Sequence, residues 1–240
     1  MHAEHTFETF LTGPSNTLAF AHVRAVADAP AVGNPQPLYL YGPVSTGKSH
    51  LLEAIETHLR ETSPETKVLR VLFDIFLAEL IWSFTKGDNA GFLEKYTAPD
   101  VLMIDDLHFI RGKEASGRYL MEIIRANLEK GHRVILTSTC PLKDLDTLND
   151  PPVCLEVPLE LPDEALLLAA AAAKDAEWGI NAGKEIHGFL AANCQNIRQI
   201  EGGLTRVALY RELYGNTQTP QQLLQLLQEE FLPVIRKSAP

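Results

Sequence analysis

Residues 42–49 read Gly-Pro-Val-Ser-Thr-Gly-Lys-Ser, a G-x-x-x-x-G-K-[ST] pattern, between the apolar run Leu38-Tyr39-Leu40-Tyr41 and a helix-spaced stretch from Lys48 to about Arg60. Strand, glycine-rich turn and helix in that order form a phosphate cradle. Glycines let the backbone close around an anion, while loop N–H groups and the positive end of the following helix point at it. The pattern assigns Gly42, Val44, Ser45, Thr46, Gly47 and His50 to contacts from the loop and first turn. Lys48 neutralises the β and γ phosphates, and the Ser49 hydroxyl ligates Mg²⁺. The expected cofactors are ATP or ADP with Mg²⁺. A chance glycine-rich turn and a decayed loop are the alternatives; Gly47, Lys48 and Ser49 are all intact.

Around this loop, strand and helix patterns alternate. Ser15 to Ala29 carries Leu18, Ala21, His22, Ala25 and Val26 at helical spacing, and Pro30 stops it. Pro35 and Pro37 lead into the first strand. Lys67 to Phe73 reads as a second strand, followed by a helix through Phe76, Leu80 and Phe84 that breaks at Gly87-Asp88-Asn89. Val101 to Ile104 is a third strand, Gly117 to Lys130 a helix, and Arg133 to Ser138 a fourth strand. Such alternation calls for an α/β fold, a parallel sheet with helices on both faces. After the turn Asp150-Pro151-Pro152 comes short strand material at Val153 to Val157, then helices at Asp163 to Trp178, Gly183 to Asn193, Ile197 to Tyr214 and Pro220 to Ile235. The expected division is a nucleotide-binding domain over 1–150 and a connector with a C-terminal helical lid over 151–240.

The third strand ends in Asp105-Asp106, and a buried parallel strand exposes acids only at its end, beside the phosphate loop. Asp105 is expected to hold Mg²⁺ and Asp106 to orient or deprotonate a water. Acids after a strand also serve as turn or cap residues, so the assignment leans on the loop. Thr137, Ser138 and Thr139 end the next strand, as phosphate sensors or as caps.

The formal net charge of -10 disfavours autonomous duplex binding, since neutralising DNA phosphates takes local Lys and Arg. Cys140, Cys154 and Cys194 are widely spaced without a CxxC pair, which reads as idle or buried thiols. His2 and His5 read as tail residues. The apolar run Ala165 to Ala173 is too short to cross a bilayer. No membrane association is expected, and a cytoplasmic location is.

Several blocks together resemble the DnaA replication-initiator family. They are Thr6-Phe7 through Phe10 with Gly13-Pro14-Ser15-Asn16, Leu40 through Leu52, Glu94-Lys95-Tyr96, Asp100 through Asp106 with Phe109 and Lys113-Glu114, Leu136-Thr137-Ser138, and Asn196 through Gly202. The resemblance runs from about residue 6 to 212, and its first and last blocks are specific to the family. It implies a P-loop AAA+ sheet with a C-terminal helical lid, ATP and Mg²⁺, and nucleotide-controlled assembly with similar subunits. It places the N-terminal segment near the adenine and makes Arg198 the lid arginine that touches ATP.

The sequence departs from the family in three ways. No helix-turn-helix follows before Pro240, so sequence-specific duplex binding is not expected. The arginine-rich block that the family places after its fourth strand has no counterpart, since no arginine occurs between Val134 and Ile197. Two residues past Lys113 stands Ala115, where the family often has a basic residue for single-stranded DNA, leaving at most weak contact. The expectation is an accessory or regulatory ATPase of replication initiation, like the short DnaA-related proteins such as Hda, with an initiator, helicase or clamp as partner. Gln222 to Leu227 is either a clamp-binding peptide or part of an amphipathic helix. A helicase loader or transposition helper like DnaC or IstB is the alternative, and a small-molecule P-loop kinase a third. Slow hydrolysis is expected unless Arg111, Arg118 or Arg125, seven residues apart, supplies the missing finger.

Overall fold

The computed structural model describes residues 5–29, 36–148, 150–215 and 218–237. Pro30, Pro35 and His2 lie outside them. The strands are β1 (Leu38–Tyr41), β2 (Val68–Leu72), β3 (Val101–Asp105), β4 (Arg133–Ser138) and β5 (Leu155–Pro158). They form one parallel sheet in the order β2-β3-β4-β1-β5. Every residue of β3 is buried, as a strand covered on both faces must be.

Alternation along the strands sorts the core into two layers. Leu102 and Ile104 of β3, with Tyr39, Val134 and Leu136, face one side. They meet Phe73, Phe76 and Leu80 of α3 (Phe73–Lys86), Tyr96 of α4 (Asn89–Thr97) and Leu120, Ile123 and Ile124 of α5 (Glu114–Glu129). Val101 and Met103, with Leu38, Leu40 and Ile135, face the other side. There they meet Val23 of α1 (Thr17–Asp28) and Leu51, Leu52 and Ile55 of α2 (Lys48–Thr62). The break read at Gly87-Asp88-Asn89 starts a further helix: Gly87 turns the chain at φ 70°, and the Asp88 carboxylate accepts the Gly91 N–H at 3.1 Å to cap α4.

The chain divides into two compact units, Leu18–Leu159 with the turn before Phe10, and Glu160 onward with Leu11–Thr17. The expected boundary at 150 therefore moves nine residues on. The physical reason is β5, which pairs in register with β1 from Leu38↔Leu155 to Tyr41↔Pro158 and belongs to the sheet rather than to a connector.

The second unit holds α6 (Glu164–Trp178), α7 (Lys184–Asn193), α8 (Ile197–Tyr214), α9 (Pro220–Leu226) and α10 (Leu232–Lys237). The Asp163 carboxylate accepts the Leu166 N–H at 2.8 Å and the Asn196 side-chain oxygen the Gln199 N–H at 3.0 Å, capping α6 and α8. Between α9 and α10 the backbone stays helical but widens into one π turn over Leu227–Phe231, so the expected final helix is present with a bulge inside it. Leu223 and Leu227 are buried in the helical core, the amphipathic-helix reading of that stretch. Among the described residues, no helix is long and apolar enough to cross a membrane.

Candidate functional site

The loop leaves β1 at Gly42, whose N–H donates to the Ser138 carbonyl at 3.2 Å. A Cβ at Gly42 would stand 2.0 Å from the Leu159 carbonyl oxygen, so only glycine lets β5 and the loop approach this closely. Ser45 and Gly47 both take left-handed conformations, φ 65° and 97°, which turn the loop's N–H groups inward as a nest. At Gly47 a Cβ would also meet the Phe10 ring at 2.8 Å. Buried Thr46 ties the loop by donating its hydroxyl to the Pro43 carbonyl at 2.9 Å. Helix α2 starts at Lys48 with no side chain capping it, leaving its first N–H groups open to an anion.

Lys48 is only 6% exposed. Its Nζ donates to the carbonyls of Gly42 at 2.7 Å and Pro43 at 2.8 Å. An ammonium carries three N–H donors, so one remains to be given. Burial pulls Lys48 below the ordinary lysine range, while the charges of Asp106 and Asp105 pull it back up. The arrangement suits a strongly anionic oxygen, which restores what burial took away.

Buried Asp105 accepts the Asp106 N–H at 3.1 Å on Oδ1 and the hydroxyl of buried Thr137 on the same oxygen. The Thr137 Oγ1 in turn accepts the Asp106 N–H at 3.0 Å. Thr137, readable from its position as sensor or cap, ties the end of β4 to the acidic end of β3. Asp106 stands at φ 60° and is more exposed. Burial, then the neighbouring Asp105 charge, push its carboxyl above the usual range. Two residues on, His108 places Nδ1 at 3.8 Å from Asp106 Oδ1, a contact sequence reasoning passed over.

The Ser49 hydroxyl is exposed and makes no hydrogen bond within the described residues, and Asp105 Oδ2 accepts none there either. Among the described residues no cluster of three His, Cys, Asp or Glu suits a metal. Few protein ligands with the rest from phosphate and water is the habit of Mg²⁺ sites. Val44 is exposed at the loop's rim.

His50 Nε2 contacts the Thr6 carbonyl at 2.9 Å, and its ring packs against Phe10 and His5. His5 contacts Glu53 Oε2 through Nδ1 at 2.5 Å. His5 is thus no idle tail residue, since the Thr6–Phe10 turn is pinned to α2.

Arg198 stands exposed in the first turn of α8, in the other unit, without a partner among the described residues. Of the three arginines read as one face, Arg111 falls before α5, separated from it by Gly112 at φ 71°. Its Nη2 reaches Cys140 Sγ at 3.1 Å, and Arg125 pairs with Asp150 at 3.1 Å. Arg118 alone is exposed and unengaged. Burial pushes the Cys154 thiol up to about 11 and that of Cys194 up to about 12, in keeping with unreactive thiols.

The model of the bacterial DnaA ATPase domain matches residues 1–153. The chain belongs to the bacterial DnaA ATPase-domain family. The chromosomal replication initiator protein DnaA of Symbiobacterium thermophilum is 34% identical over 97% of this chain and 52% of its own length. The chain spans about half the length of the curated DnaA relatives it matches. Domain III of the Thermotoga maritima DnaA superposes with a TM-score of 0.86 at 28% identity, covering 95% of this chain and 98% of that one. A DnaA bound to AMPPCP and single-stranded DNA gives 0.79 at 25% identity, covering 95% and 69%. DnaI reaches 0.50 at 18% identity over 65% of this chain and 88% of its own, a likeness of fold alone, so the DnaA reading stands ahead of the helicase-loader alternative.

Proposed function

We propose that this chain is an ATP-binding AAA+ module of replication initiation that uses bound nucleotide to control assembly with a related AAA+ replication protein, an initiator, helicase or clamp. The observation that carries the reading is the buried Lys48 ammonium, held at the loop by two carbonyls with one donor unspent beside two carboxylates. The DnaA relative solved with AMPPCP and single-stranded DNA supports nucleotide binding here and a contact with single strands, which the net charge of -10 and Ala115 keep weak.

In this reading the N–H groups of the 42–50 loop and first helical turn bind the phosphates, and Lys48 neutralises them. Ser49 and Asp105 hold Mg²⁺, with Arg198 as a further phosphate contact from the helical unit. Bound Mg²⁺ supplies charge neutralisation at the phosphate oxygens. Asp106 orients a water and takes its proton, chemistry that its raised pKa suits.

The test is calorimetry with ATP and with ADP on the wild type and on Lys48→Ala. A charge-assisted contact of about 1.5–3 kcal/mol is removed, so affinity falls roughly 10- to 100-fold. Equal affinities in the two proteins reject the loop as the phosphate site.

A further inference from the structure

Asp106 is held firmly by its main chain and loosely by its side chain. Its N–H is shared between Asp105 Oδ1 at 3.1 Å and Thr137 Oγ1 at 3.0 Å, and its backbone is left-handed. Yet its carboxylate accepts no hydrogen bond from the described residues, so nothing yet fixes which way the oxygens point.

His108 sits in the single 3-10 turn Leu107–Ile110 that follows, its ring packed against that of Phe109 at 4.2 Å between centroids and tilted by 35°. Its Nδ1 is shut off from solvent and has no hydrogen-bond partner. An orphaned buried polar atom of this kind is costly and gains from any partner that comes within reach. Among the described carboxylates, Asp106 alone lies within ion-pair reach of that nitrogen, at 3.8 Å. A shift of about 1 Å would bring the pair to ordinary hydrogen-bond length. Catalytic hydrogen bonds are often long in the free protein and tighten when the site is loaded.

We propose that His108 is the positioning residue for Asp106: the Nδ1–H donates to one carboxylate oxygen, selects the side-chain rotamer, and leaves the second oxygen free to accept a proton from water. The inference rests on the nucleotide-site reading above. The charged groups that act on the ring are Asp106 and Asp105 at the end of β3, Lys48 from the loop, and Arg111 beyond the turn. Burial, the largest influence, keeps the imidazole below its ordinary range and therefore neutral at pH 7, the form with a single N–H to place.

The first measurement is of the His108 ring nitrogens by NMR in the nucleotide-free protein, wild type and Asp106→Asn. The expected result is the Nδ1–H tautomer in the wild type, and a fall in the His108 pKa when the Asp106 charge is removed. An Nε2–H tautomer, or a pKa that does not move, overturns the contact.

The second compares His108→Leu with His108→Asn, whose amide nitrogen can take the place of Nδ1. With Leu, ATP affinity stays within twofold and turnover falls on the order of 10- to 100-fold; with Asn most of the turnover returns. Turnover within twofold of wild type for the Leu variant, an equal loss in both variants, or a parallel loss of affinity, overturns the positioning role. Failure of the wild type to bind ATP sinks the nucleotide reading instead, and the ring signals of the free protein still decide whether His108 addresses Asp106.

Discussion

Gly47 is required twice, once for its φ of 97° and once for the Phe10 ring that occupies the space where a Cβ would stand. Gly47→Ala is expected to cost about 1–2 kcal/mol for the left-handed conformation, with a further penalty for displacing the ring. Urea unfolding of Gly47→Ala, Phe10→Ala and the double variant separates the two, because the steric part disappears once Phe10 is gone; strictly additive losses would show that the ring does not resist the methyl. Such detail is only half legible in the sequence. The glycine's place in the motif announces a tight loop, but Phe10 lies 37 positions away and carries no signal that it packs there. The same holds for the acids: Asp105 and Asp106 can be read from an apolar strand ending in two carboxylates. That Thr137 rather than Ser138 or Thr139 reaches them depends on the register of β3 against β4, which no local pattern encodes.

At the scale of elements, the structure reproduces β4 and α8 to the residue as read from the sequence, because each has a full period and a clean stop. Four-residue β5 is legible in the sequence but its partner is not, since sheet order is decided by pairing rather than by composition. Helices α6 and α7 are joined by a polar knot that the sequence hides as well. Asp175, nearly buried, accepts the Ala182 N–H at 2.9 Å and meets His187 Nε2 at 2.7 Å. Burial by itself would raise its carboxyl, but the Ala182 N–H, the His187 ring and the Gly183 N–H outweigh it and leave it below the usual range. A lowered folded pKa means that this contribution is complete above the ordinary Asp value of about 3.9 and is lost as pH falls through the folded one. Asp175→Ala should therefore destabilise the helical unit by about 1.5–3 kcal/mol at pH 7. Its thermal stability should also fall less than that of the wild type between pH 5 and 2, so parallel declines would remove Asp175 from the account.

For the molecule as a whole, the decisive fact is where its arginines are. None lies between Val134 and Ile197, and of the three near α5 two are already engaged within the chain. A neighbour's arginine adds roughly 10³ to 10⁵ in rate in related phosphate chemistry, so with the 134–197 stretch supplying none, slow ATP turnover at every concentration is expected unless Arg118 is lent. Phosphate release per protomer is expected to stay flat on concentrating the protein and to be unaltered by Arg118→Ala. A steep rise abolished by that substitution would identify Arg118 as the lent group. A last consequence comes from the Leu159 carbonyl that crowds Gly42, with the Leu159 N–H given to Tyr41 at 2.6 Å. The next residue, Glu160, opens the helical unit. Tyr41, the last residue of β1, thus holds the residue just before that unit, and Gly42 leaves room for its carbonyl. A side chain at Gly42 would therefore disturb the seat of the residue that follows β5 as well as the phosphate loop itself.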